Sequence, residues 1–117
     1  MSYDEAAAAR IRQALPAGRP IAERKMMGTL CFMVDGHMCC GVTGAALMIR
    51  VGQEGYQQTL ARPHVRPMDI GGRQPKGFVL VDPEGYRTKA ALEKWLAQAL
   101  AFTAALEPKK LARRRKA

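Results

Sequence analysis

Apolar residues in this chain collect into runs whose spacing changes from place to place, and those changes mark out the elements. The densest run is residues 24–51, RKMMGTLCFMVDGHMCCGVTGAALMIRV. Two turns divide it. VDGH at 34–37 reads as a two-residue hairpin, because the primed turns need positive φ at their centre and Asp35 and Gly36 tolerate it. TGAA at 43–46 is the second turn, and Leu47, Met48, Ile49, Arg50 and Val51 alternate after Leu47. A three-stranded antiparallel meander is therefore expected. With Asp35 and Gly36 at the turn, Cys31 should face Cys40, Met33 should face Met38 and Phe32 should face Cys39. Alternation then puts Cys31, Met33, Met38 and Cys40 on one side of the sheet. Leu30, Phe32, Val34, His37 and Cys39 fall on the other. Both sets are apolar, so the hairpin should be central and at least partly covered on both sides.

The flanks read as helices and shorter strands. Ser2 and Glu5 form a capping box. Ala7, Ala8, Ile11, Ala14 and Leu15 then repeat at helical spacing until Pro16 and Gly18 stop the helix. A stripe made mostly of alanine predicts close packing on something flat, such as a sheet. Residues 19–23 form a short link. Beyond the meander, QEGYQQTLA at 53–61 is weakly helical, with Tyr56 and Leu60 turned inward. Pro63 and Pro67 limit residues 62–70 to an edge strand at best. GGRQPKG at 71–77 connects it to a short buried strand, Phe78, Val79, Leu80 and Val81, which DPEG ends. Thr88 caps the last helix. Leu92, Trp95, Leu96, Ala99, Thr103 and Leu106 line its inner stripe, Leu100 and Phe102 widen it, and Pro108 ends it. The expected architecture is α+β. One domain over residues 1–108 has a central antiparallel sheet, the three-strand meander plus two strands, packed by an N-terminal and a C-terminal helix.

Composition changes this picture in two ways. The net charge is +9, from nineteen basic and ten acidic residues, yet six of the cations lie in the last nine residues. These are Lys109, Lys110, Arg113, Arg114, Arg115 and Lys116, so residues 109–117 form a basic tail and the body carries only +3. A pI near 10.0 points to nucleic acid when the charge lies on the fold; here most of it lies beyond. The three cysteines are an odd number inside one sheet rather than a framework along the chain, which predicts a reduced, cytoplasmic protein. The N-terminus begins acidic and carries Arg10 and Arg12 in its apolar pattern, so no signal peptide is expected. No apolar run approaches the ~20 residues of a membrane span.

The order helix, meander, small helix, two strands and Trp-bearing helix resembles the N-terminal domain of the TfoX/Sxy competence regulators. The resemblance is carried by RKMMG at 24–28, the VDG turn, LMIRV at 47–51 and ALEKWL at 91–96, and it spans roughly residues 3–106. Thr29 stands where that family often has a second glycine, and Met27 replaces its usual aromatic residue. The helical C-terminal domain of the full-length regulators is not expected, since the chain ends in KKLARRRKA. The resemblance implies a bacterial cytoplasmic domain with a role in regulation or protein contact. The expected function is a non-enzymatic regulatory or protein-interaction module that affects transcription through a protein partner. The alternative is a nucleic-acid-associated protein that binds DNA weakly through its tail.

Candidate chemistry is sparse. Cys31, Cys39, Cys40 and His37 suggest a metal at first, but the expected register divides them between opposite faces, and such ligands cannot close a tetrahedron. Cys31, Met33, Met38 and Cys40 are four soft sulfurs suited to Cu(I), though methionine is also a common filler of cores. His64 has no thiol placed near it to make a nucleophile–base pair. GGRQPKG lacks the spacing and the Lys-Ser/Thr ending of a phosphate-binding loop. No catalytic, cofactor-binding or metal residues are therefore assigned. Arg24, Lys25 and Arg50 are the expected partner contacts. The six tail cations are the expected nucleic-acid contacts, although the tail lacks aromatic residues to stack on bases. The oligomeric state is left open, a dimer included.

Overall fold

A computed structural model of the chain describes residues 3–15, 21–26, 28–69 and 72–106. Its centre is a six-stranded, fully antiparallel sheet in the order β1-β2-β3-β4-β6-β5. The strands are β1 (Ile21–Met26), β2 (Thr29–Val34), β3 (His37–Thr43), β4 (Ala46–Arg50), β5 (Val65–Pro67) and β6 (Phe78–Val81). Three helices join them: α1 (Glu5–Ala14), α2 (Gly52–Leu60) and α3 (Lys89–Ala104). The 3-10 turn Pro83–Tyr86 leads into α3. The α+β architecture expected from the sequence is the one observed.

The hairpin forms where expected. Asp35 at φ 54 and Gly36 at φ 84 both take the left-handed conformation that a type I′ turn demands. The meander, however, has a fourth strand. Gly28, at φ 83, turns the chain, so residues read as a link and an entry segment become the edge strand β1. Its central residues Glu23, Arg24 and Lys25 are exposed charges, the composition that discourages an edge from pairing with other chains.

The register of the hairpin also departs from the expected one. Met33 pairs with Met38 as predicted, but Phe32 pairs with Cys40 and Cys31 with Gly41. Cys39 is the extra residue of a β-bulge, and beyond it every partner is displaced by one. Cys40 therefore turns to the side of Phe32, while Cys31 stays on the side of Met33. The set Cys31, Met33, Met38 and Cys40 does not share a face, and the expected Cys31–Cys40 neighbourhood is not formed.

All three helices pack on one side of the sheet. Ala7, Ala8 and Ile11 of α1, Tyr56 of α2, and Leu92, Trp95, Leu96 and Ala99 of α3 are buried against Leu30, Phe32, Val34, Cys39, Cys40, Val42, Leu47, Ile49, Val79 and Val81. The cap of α1 is Asp4 rather than Ser2: its carboxylate accepts from the amides of Ala6 and Ala7. Ser2 lies outside the described residues, as do Pro16, Gly18 and Pro108. Thr88 caps α3 as expected, accepting from the Ala91 amide at 3.1 Å. Arg10 ties α1 to the start of α3 through the carbonyls of Tyr86 and Arg87, at 2.9 and 3.1 Å.

Candidate partner-contact surface

The other side of the sheet carries a second, smaller apolar cluster. Cys31, Ala46, Met48, Met68 and Leu80 are buried in it, with Met33, Met38 and Phe78 half-buried around them. Among the described residues no helical residue belongs to it, and α3 reaches its edge only through Phe102, beside Arg50. Cross-strand pairing explains how it arises. Arg24 pairs with Cys31, Cys31 with Gly41, Gly41 with Met48, Met48 with Leu80 and Leu80 with Arg66, one row across all six strands. Cross-strand partners share a face, so Arg24 stands at one end of a strip that methionine dominates. Gly41 makes room in the middle. The Met48 methyl group lies only 3.1 Å from where a Cβ on Gly41 would stand.

Arg50 follows Met48 by two residues on β4 and shares this face. Its guanidinium lies over the rings of Phe78 and Phe102, 5.4 and 5.3 Å from their centroids. Its Nη1 donates to the carbonyl of Met38 at 3.2 Å. The two rings and one carbonyl hold the head group in place and leave other N–H groups of the fork available. Arg66 is exposed and is neutralised by Asp82, at 2.9 Å. Among the described residues neither Arg24 nor Arg50 forms an ion pair.

The three expected contact cations are therefore not one patch. Lys25 pairs with Leu30, a residue of the helix-side core, and its ammonium lies 6.0 Å from the Tyr3 ring centroid on that side. Arg24 and Arg50 share the helix-free face, three strands apart, roughly 15 Å at ~4.8 Å per strand with the stagger added. Glu23 binds Arg12 of α1 rather than Arg24, with Nε–Oε2 at 2.6 Å, and this hydrogen bond holds the Glu23 carboxyl below its ordinary range. The six tail cations lie outside the described residues.

The cysteines divide between the two sides. Burial raises the Cys31 thiol pKa, and nearby Arg24 opposes it. A hydrogen bond with Cys39, followed by burial, pushes Cys40 well above the ordinary thiol value. Both effects keep the sulfur protonated and unreactive. Among the described residues no group of three or more His, Cys, Asp and Glu side chains is arranged to hold a metal ion, and no helix is long and apolar enough to cross a membrane. Sequence reasoning found the cations but not the strip on which two of them stand. The bulge at Cys39 and the burial of Met68 beside β5 assemble that strip, and neither leaves a local signal.

A mixed core of helices on one face of an antiparallel sheet, with the other face given to methionine, defines a small α+β scaffold domain. The TfoX N-terminal domain family matches residues 13–103, and the chain belongs to that family. Membership gives it a regulatory, competence-related setting. No curated protein and no solved structure matches the chain.

Proposed function

We propose that this domain is a non-enzymatic regulatory module that contacts a protein partner and acts on transcription through it, in the cytoplasm. The supporting observation is the helix-free face, where Arg24 stands at one end of a methionine-rich strip and Arg50 within it. Arginine and methionine are enriched in protein interfaces, and charges there steer encounter and fix orientation. The protonated, buried thiols and the exposed His64, remote from them, favour a non-enzymatic reading as well. The alternative, weak DNA binding through the tail, is favoured by six cations in nine residues. An affinity pull-down with the full chain and with a chain lacking residues 109–117 tests both. The module reading expects the same protein partner in both arms. A partner lost with the tail and released by nuclease would overturn it.

A further inference from the structure

Four methionines and a cysteine carry the helix-free face: Met33, Met38, Met48, Met68 and Cys31. Methionine is unbranched and polarizable, and a surface built of it repacks around different apolar partners. Met33, Met38 and Phe78 keep part of their surface in water. Arg24 stands at the β1 end of the strip and Arg50 stands within it, between Met38 and Phe78, and neither is ion-paired among the described residues. Asp82, the carboxylate beside Leu80, is already held by Arg66.

The charge pattern decides between occupants. A second copy laid on this face would bring Arg24 and Arg50 against their own kind, and like charges facing one another across an interface are unfavourable. The chain's own terminal segment, KKLARRRKA, has the same sign. Nucleic acid would satisfy the two arginines but would set phosphates and sugars against the sulfur-lined centre, which offers them nothing. We propose that the helix-free face binds an acidic amphipathic segment of a partner protein. Apolar side chains of that segment lie over Met33, Met38 and Phe78, and carboxylates beside them reach Arg50 within the strip and Arg24 at its end. The proposal rests on the interaction-module reading and gives it a surface and a partner chemistry.

The test uses full-length protein labelled with 13C at the methionine methyls. The probe is an amphipathic helical peptide of about four turns, with leucine on one face and glutamate on its flanks. Its isomer with lysine for glutamate is the control. The expected result is saturable shifting of the Met33 and Met38 methyl signals by the acidic peptide alone. Arg24→Glu should weaken binding by roughly tenfold, the effect of about 1.4 kcal/mol. Lys25→Glu makes the same charge change on the same exposed strand but on the opposite face, and should leave affinity within about twofold. Arg50→Gln reports on the second arginine, within the strip, and should weaken binding too. Unmoved methionine signals, equal binding of the lysine isomer, or equal losses for Arg24→Glu and Lys25→Glu would each overturn the proposal. So would methyl shifts that grow with protein concentration alone, which identify a second copy, or larger shifts with a short DNA duplex. A protein captured by pull-down whose footprint falls on the helices would sink this surface while sparing the interaction-module reading.

Discussion

Cys39 and Cys40 are neighbours in sequence, yet both contribute to the core on the helix side, because the bulge at Cys39 suspends the alternation that would separate them. Cys31 is buried on the other side. Native protein should react slowly with a thiol reagent and denatured protein quickly; rapid native labelling would mean that the sheet opens easily. Native protein treated with an oxidant should form no Cys31–Cys40 link. The raised thiol pKa values of Cys31 and Cys40 also give stability a pH dependence with a definite sign. In the unfolded chain a thiol ionises near ~8.5, while the folded thiol still holds its proton. Above that pH the unfolded state binds fewer protons, so stability must fall as pH rises. Tyr86, whose phenol is raised by burial, adds a loss of the same sign above ~10. Thermal melts from pH 7 to 10 should show a falling midpoint. Cys31→Ser leaves a hydroxyl that does not titrate and should flatten part of the slope. A midpoint that holds steady or rises through this range would contradict the burial of these thiols.

At the scale of elements, α3 is the clamp on the sheet. Its inner stripe, Leu92, Trp95, Leu96, Ala99 and Thr103, is buried along about three turns. Trp95 is its anchor: it is 4 % exposed, its Nε1 donates to the Gly85 carbonyl at 3.0 Å, and the Arg62 guanidinium stacks on the ring at 4.0 Å. Trp95→Ala should cost ~3–5 kcal/mol, a large part of the ~5–15 kcal/mol of a whole domain. Trp95→Phe keeps most of the packing but strands the Gly85 carbonyl, at about 1–3 kcal/mol. Denaturant melts of the two variants should rank in that order, and an unchanged Trp95→Ala would refute the placement of α3. This helix was legible because cap, stripe and period agree within one segment. So were the turn at Asp35 and Gly36, the strand Phe78–Val81 and the short edge strand around Val65. Strand β1 was not, since Glu23, Arg24 and Lys25 show no alternation. The bulge was not legible either. MCCGV buries apolar residues in either register, so hydrophobic pattern, the usual specifier of register, cannot distinguish them. That one-residue shift sends Cys40 to the helix side and leaves Cys31 with the methionines. The two arginines of the candidate site were readable as cations, but their separation from Lys25 depended on which face each strand position takes.

For the whole molecule, the question is whether the charge that dominates the composition also governs binding. Six of the cations lie in the last nine residues, and the body carries the remaining +3. Several of the body's basic groups are already engaged: Arg12 with Glu23, Arg66 with Asp82, Arg10 with backbone carbonyls, and Arg62 with Trp95. The α3 helix presents no basic recognition face, since Lys89 and Lys94 are its only basic residues and Lys89 lies 3.9 Å from Glu93. A tail of this composition can neutralise phosphates without any defined docking geometry. Each neutralised phosphate contributes about −0.9 to the slope of log K against log salt, so full engagement of the tail gives a slope of roughly −5. Weak binding that does not depend on sequence should therefore appear at low salt and largely vanish near physiological ionic strength. Deleting residues 109–117 should abolish it, while the Arg24→Glu variant should bind DNA as the parent does. Fluorescence anisotropy with two unrelated duplexes over a salt series measures all of this. If the tail-deleted protein still preferred one duplex at physiological salt, the folded body would be reading bases, and direct DNA recognition would replace partner contact as the function of this domain.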